Sequence, residues 1–415
     1  MTTEALDSMW ANRQLFDLRN AVAPDGVLGP DTTARQFYLG AVAAGFELDE
    51  SANEILSRYL DHARSGRFGA DTTHTADAEV LRAEVAARNG HYARAAEWLA
   101  SALSSRRSTA DSATVDDWSR DLAVWRGLRA VAEQRVVVTD TTPTHLARDR
   151  AGLLTLFARN ASGDSGTRDS VQMIFDTGAG LTVVTTTTAS RLGVRFTGDS
   201  VDVEAATGIQ VRSALGEIPR LSLGSVTVEH VVVLVMRDAD LSFPEANYAI
   251  HGIIGYPVLA AMGRMTVSRD LWLRSGVQAA PIPLAARNVA VDGLAPLVEV
   301  GFAHRLSAWT LDTGAQATIA YPRFLARHGE AVRAAGVLET EGLGSAGGGT
   351  KVSGYHMRDV QLMLGKGTIT VPQMTVLRVG PTTSARRVFG NLGLDAFAGA
   401  TRVTIDLRGG TVFVE

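Results

Sequence analysis

The 415-residue chain contains no cysteine. That excludes a disulfide framework, a thiol nucleophile and a cysteine-ligated metal. Lysine is almost missing: Lys351 and Lys366 stand alone and arginine supplies the other basic charge, a bias of composition rather than of chemistry. The net charge is −4, so the basic footprint of a nucleic-acid binder is lacking and no nucleic-acid partner is expected. No run of 18 apolar residues occurs, so no membrane span is expected. The nine histidines show neither His-Glu-x-x-His nor any other ligand spacing, which argues against a metal site. Gly-x-Ser-x-Gly is absent, which argues against a serine hydrolase of that kind. Nothing in the chain calls for an organic cofactor. The N-terminus, Met1-Thr-Thr-Glu-Ala, has neither a basic nor an apolar signal-like region. The expectation is a cytoplasmic protein, or a periplasmic or secreted one from which a signal has been removed.

What is present falls into two parts. Length alone suggests two to three domains. Residues 1–135 show helical periodicity and few strand signals. Helices are predicted near 4–22, 32–45, 51–64, 77–89, 92–104 and 115–133. Thr114-Val-Asp-Asp117 has the look of an N-cap before the apolar-periodic run of Trp118, Leu122, Trp125 and Leu128. Ser65–Ala76 reads as a loop. Residues 80–103, with Ala86, Gly90, Tyr92, Ala95, Ala96, Leu99, Ala102 and Leu103, resemble one tetratricopeptide-like helix pair. Such a domain either recruits a partner or caps the rest of the chain, and the cap is the simpler reading.

From residue 136 onward the pattern is β, and it repeats. Residues 173–180 read Met-Ile-Phe-Asp176-Thr177-Gly178-Ala179-Gly180, and residues 309–316 read Trp-Thr-Leu-Asp312-Thr313-Gly314-Ala315-Gln316. Each is a strand-like run that ends in Asp-Thr-Gly-Ala. Gly255 of Gly252-Ile-Ile-Gly255 lies 79 positions after Asp176, and Gly393 of Gly390-Asn-Leu-Gly393 lies 81 after Asp312. A closing hairpin pattern follows both. Long self-similarity of this kind means two copies of one structural unit. The predicted organisation is a helical domain (1–135), a first β lobe (136–280) and a second β lobe (281–415), with Pro281–Ala286 as the linker.

Two copies of an Asp-bearing turn make chemical sense. Carboxyls held a few ångströms apart cannot both ionise, so they share a proton. The charged member can then take a proton from water while the neutral member donates to a carbonyl. Asp176 and Asp312 are the candidate catalytic pair. Thr177 and Thr313 could cross-brace the turns. Gly178 and Gly314 would let backbone approach each carboxyl with no Cβ in the way.

On these residues the chain resembles the retropepsin-like aspartic peptidases, in a fused, single-chain bacterial form that carries both Asp-Thr-Gly-Ala motifs. The resemblance covers roughly residues 140–415. It implies a bilobal, all-β fold after the helical domain, hence an α+β multidomain protein. It also implies hydrolysis of peptide bonds in a peptide or protein substrate, and a monomer that acts as an intramolecular pseudo-dimer. In the family a glycine-tipped hairpin closes over the bound peptide. Here Val201–Ser213 is the candidate, with Thr207 and Gly208 at its tip and no tyrosine nearby. Its counterpart is the glycine-rich stretch 342–350, with Gly344 and Gly347, which reads as too long for a tight turn. Both motifs carry alanine, Ala179 and Ala315, where pepsin-like members carry a hydroxyl. A carboxylate missing that donor is less favoured in its charged form, which predicts a milder pH optimum. His251 and the carboxylates Asp395 and Asp406 read as structural. The alternative is a protease fold turned to peptide binding or other acid–base chemistry.

Overall fold

The computed structural model describes residues 2–23, 35–65, 72–106, 111–138, 142–161, 170–205, 207–277, 281–345, 348–380 and 387–415. The N-terminal third is helical: α1 (Thr3–Ala11), α2 (Leu15–Val22), α3 (Gln36–Gly45), α4 (Asp49–Arg64), α5 (Thr75–Arg88), α6 (Tyr92–Arg106) and α7 (Ser112–Leu128). The single helix expected at 4–22 is two, because the chain turns at Asn12 and at Arg13, whose φ is +51°. The last helix starts at Ser112 and its cap is Asp111, not Thr114, since the Asp111 carboxylate accepts from the Thr114 N–H at 2.9 Å. α4 shows why these segments are helical. Ala52, Ile55, Leu56, Tyr59, Leu60 and Ala63 make one buried stripe, with Asp49 and Glu50 in the first turn and His62 and Arg64 in the last. Gly40 of α3 lies under Leu56, where a Cβ would come within 2.5 Å of the leucine.

The β region holds two sheets of matching order. In the first, Val226–Met236, Thr182–Thr185, Gly252–Ile254, Val171–Phe175 and Leu154–Asn160 lie side by side. In the second the sequence of neighbours is Gly367–Leu377, Ile319–Ala320, Gly390–Leu392, Arg305–Leu311 and Ala295–Phe302. The strand before each Asp pairs in parallel with the strand before the later glycine: Ile253↔Ile174 and Ile254↔Phe175 in one, Thr310↔Asn391 and Leu311↔Leu392 in the other. Val231–Val235 is buried throughout, as its unbroken apolar run requires. A third sheet joins the halves, with Met265↔Ile405 and Thr266↔Thr404 in antiparallel register. The first closing strand, Arg264–Ser268, therefore pairs with Arg402–Asp406 of the second half.

One expectation changes. On either side of residues 346–347, which lie outside the described residues, the glycine-rich stretch is strand: Val337–Ser345 pairs with residues 348–356, from Val337↔His356 to Ser345↔Gly348. Antiparallel pairing can run through glycine, which has no side chain to obstruct the ladder. A helix covers Pro322–Ala335, with non-helical backbone at His328. The linker at 281–286 ends in a single 3₁₀ turn, Leu284–Ala286. Among the described residues no helix is long and apolar enough to cross a membrane.

The helices are seated on both halves. α1 to α5 share one buried cluster with Leu284, Ala290, Leu297 and Val388; α5 to α7 share another with Val183, Val201, Val211, Leu215 and Leu234. Between them lies a buried ion network. Glu47 accepts from the Tyr256 hydroxyl and faces Arg88 Nε at 3.7 Å and Arg408 Nε at 3.4 Å. Arg88 also donates to the Ala44 carbonyl at 2.8 Å and meets Asp49 at 3.3 Å. Burial alone would lower the Arg88 pKa, but Glu47 and Asp49 outweigh it and raise it. Removing Arg88 leaves the buried Glu47 carboxylate balanced only by the half-exposed Arg408 and the Tyr256 hydroxyl. Arg88→Ala should therefore lose about 3–5 kcal/mol in denaturant-induced unfolding; a loss below about 1 kcal/mol would mean that Glu47 is re-paired or hydrated.

Candidate active site

Each half ends its Asp-bearing strand in a turn, and the two turns face each other. Their threonines lock them. Thr177 Oγ1 donates to the Leu311 carbonyl at 2.7 Å and accepts from the Thr313 N–H at 3.1 Å. Thr313 Oγ1 donates to the Phe175 carbonyl at 2.7 Å and accepts from the Thr177 N–H at 3.0 Å. Both threonines are buried. Four backbone groups that would otherwise be orphaned are thus satisfied across the interface between the halves.

The brace puts Asp176 and Asp312 side by side. Asp176 Oδ1 accepts from the Gly178 and Ala179 N–H groups at 2.8 and 3.1 Å, and Asp312 Oδ1 accepts from Gly314 N–H at 2.9 Å. The glycines are steric necessities. A Cβ on Gly178 would lie 2.6 Å from Asp312 Cγ, and one on Gly314 would lie 2.1 Å from Asp176 Cγ. The downstream glycines do the same for the loops. A Cβ on Gly255 would strike Leu181 at 2.4 Å, and one on Gly393 would strike Ala317 at 2.6 Å. The matched support continues: Asp176 N donates to Ile254 O and Asp312 N to Leu392 O, while Gly255 N and Gly393 N donate to the hydroxyls of Thr182 and Thr318.

Burial, then the Asp312 charge, pushes the Asp176 carboxyl well above the usual carboxylate range, against the pull of its backbone donors. Burial also raises Asp312, but less: the Asn391 amide, Asp176 and the Gly314 N–H oppose it. This is the pattern of one proton shared by two carboxyls.

The structure brings together Asp176, Thr177, Gly178, Asp312, Thr313 and Gly314. The remaining candidates lie on the two hairpins. Thr207 and Gly208 are at the turn of Arg195–Glu204 with Gln210–Leu223, where Gly208 has φ +82°. Gly344 is in a strand, opposite Gly349; Gly347 lies outside the described residues. The hairpin ends adjoin, since a Cβ on Gly348 would be 3.5 Å from Ile209 Cδ1. None of the partners of Asp176 or Asp312 named above is a hairpin residue. The first hairpin is backed by α7, where Leu122, Trp125 and Leu128 share a buried cluster with Val201, Val211 and Leu215. His251 is exposed, Asp395 accepts from the Thr318 N–H and hydroxyl at 3.0 and 2.6 Å, and Asp406 pairs with Arg264 at 3.3 Å.

One member of the site was not singled out from the sequence. Asn391 Nδ2 donates to Asp312 Oδ2 at 2.7 Å. The donor expected from the missing hydroxyl at Ala315 is therefore supplied from another strand. The signal was the departure of Gly390-Asn-Leu-Gly393 from the apolar Gly252-Ile-Ile-Gly255. Among the described residues no group of three or more metal-ligating side chains converges.

An aspartyl protease family model matches residues 163–258. That span holds the first Asp-Thr-Gly turn, the first hairpin and the strand before Gly255. No curated protein matches the chain. Among solved structures, a retropepsin-like aspartic protease from Rickettsia conorii is similar over 35% of this chain and 96% of its own, at 17% identity and a TM-score of 0.24.

The pair's burial has a consequence for stability. A carboxyl whose folded pKa is raised contributes most below its unfolded value, near pH 4, and loses that contribution as pH rises through the folded value. Asparagine at 176 mimics the protonated form and does not titrate. Melting curves should place Asp176→Asn increasingly above the wild type as pH rises from about 4 to 8. A gap that does not widen would mean that Asp176 is not raised.

Proposed function

We propose that this chain is a single-chain aspartic endopeptidase, bilobal after its helical domain, with boundaries near residues 135 and 280. The observation that carries the reading is the mutual threonine brace, which joins the turns that carry Asp176 and Asp312, a half-buried pair of carboxyls. A brace of that kind serves two turns that must be held to within a fraction of an ångström. The aspartyl protease family model over the first half supports it.

The pair can perform hydrolysis without a covalent intermediate. The ionised carboxylate takes a proton from a water held between the two groups. The oxygen of that water bonds to the peptide carbonyl carbon, and the carbonyl oxygen takes the proton of the neutral carboxyl. The neutral diol then collapses. The carboxyl that gained the water proton passes it to the amide nitrogen, the C–N bond breaks, and a diol proton returns to the other carboxylate. Both groups end as they began. The adjoining hairpins, with Thr207, Gly208 and Gly344, would cover the peptide and exclude bulk water. Since both half-sites are in one chain, a monomer suffices.

Cleavage of a peptide library by the full chain and by Asp176→Asn and Asp312→Asn tests this. Activity is expected in the wild type and a loss of at least about a thousandfold in each variant, because neither carboxyl can work alone. A folded wild type that cleaves nothing across about pH 3–8, or a variant that keeps its activity, would overturn the reading. The raised carboxyls also set the pH dependence. Activity requires one ionised and one neutral group, so its acid limb should follow the raised Asp312 value and its optimum should lie above about pH 3. A rate profile that peaks below that would contradict it.

A further inference from the structure

The Asp-Thr-Gly-Ala turns and their backbone hydrogen bonds match in the two halves, but the strands before Gly255 and Gly393 differ in a way that reaches the pair. The strand before Gly255 carries Ile253 where the strand before Gly393 carries Asn391; both occupy the same register position beside the Asp-bearing strand, Ile253↔Ile174 and Asn391↔Thr310. Asn391 is fixed on both sides, since it also pairs with Ile319, and it is 9% exposed. Its amide nitrogen lies 2.7 Å from Asp312 Oδ2. Asp312 thus accepts at both oxygens, from Asn391 at Oδ2 and from Gly314 N–H at Oδ1. Asp176 takes both of its backbone donors at Oδ1, and the apolar Ile253 stands where an amide would have to be to reach Oδ2.

We propose that Asn391 is a positioning residue that breaks the symmetry of the pair: its amide holds the negative charge on Asp312 and leaves the shared proton on Asp176. A donor to a carboxylate stabilises the ionised form selectively, and a charge-assisted bond of this length is among the stronger ones. The consequence rests on the peptidase reading. Asp312 is then the group that takes the water proton, and Asp176 is the group that protonates the carbonyl oxygen. Without Asn391 each carboxyl would keep only the backbone donors of its own turn, and no side-chain amide would favour the charge on Asp312.

The other titratable groups around Asp312 do not supply this asymmetry. Asp176 faces it from the opposite turn and is the partner in the exchange. The Tyr321 phenol, which follows Ile319–Ala320, is pushed up to about 12 by burial and then by the Asp312 charge, so it stays neutral while the pair titrates. Asp395, beyond Gly393, is engaged by the Thr318 N–H and hydroxyl.

The test is a carboxyl ¹³C NMR titration of the full chain, with Asp176→Asn and Asp312→Asn used to assign the two signals. In the wild type Asp312 should lose its proton at lower pH than Asp176; the reverse order overturns the proposal without any change at Asn391. In Asn391→Leu, Asp312 should move upward by about one pH unit, and the acid limb of kcat/KM should move with it while kcat at its optimum stays within about tenfold. Asn391→Ile, which copies the first half, serves where the leucine variant does not fold. An Asp312 titration that stays in place, or moves down because the amide oxygen rather than the nitrogen faces it, overturns the proposal. Should the wild type cleave no peptide, the peptidase reading fails, and the order of the two titrations still decides the role of Asn391.

Discussion

Everything in the β region is arranged around one constraint: two carboxyls must sit within reach of each other, away from bulk water, without either half of the chain moving apart. Like charges at that separation repel strongly in a low-dielectric site. Nothing in the carboxyls themselves would hold them there. The four hydrogen bonds of Thr177 and Thr313 do so, because each threonine satisfies backbone of the opposite half. The glycines follow from the same constraint, since a Cβ at Gly178 or Gly314 would occupy the space of the facing carboxyl. The parallel strands before Gly255 and Gly393 then fix where each turn starts, through Ile254 O and Leu392 O.

The duplication is close but not complete, and its departures have physical content. The helices pack on the first hairpin through α7 and on the second half through α1 to α3, so the two halves have different surroundings. The Glu47–Arg88–Arg408 network ties α5 and the α3–α4 turn to Tyr256, one residue past Gly255, and to the closing strands. The helical segment is therefore a clamp across the β halves rather than a separate body on a tether. Inside the site, Asn391 is the departure that reaches the chemistry.

Much of this was legible in the sequence. The two Asp-Thr-Gly-Ala runs, with glycines at nearly equal distances downstream, specify the paired turns, since each of those residue types answers a steric or hydrogen-bonding demand that few others meet. The positions of α3 to α6 followed from apolar spacing. Elsewhere local pattern was a poorer guide. The stretch 342–350 reads as too long for a tight turn because glycine carries no strand signal, yet the backbone of residues 342–345 and 348–350 pairs as well as any other. The break at Asn12–Arg13 was hidden because apolar residues continue in helical spacing on both sides. Asn391 was visible only as a polar residue where its counterpart is isoleucine; that its amide reaches Asp312 depends on the register of three strands distant in sequence. The seat of the helices on both halves likewise rests on partners far apart in the chain, such as Glu47 and Arg408.

The central claim is that one chain holds one complete site made from both halves. Calorimetric titration with a peptide carrying a hydroxyl-bearing tetrahedral replacement for the scissile amide tests it most directly. Such a ligand resembles the diol and should bind the paired carboxyls more tightly than the parent peptide. One ligand should bind per 415-residue chain, with tight binding lost when either Asp176 or Asp312 is replaced. One ligand per two chains, or tight binding that survives both replacements, would contradict it.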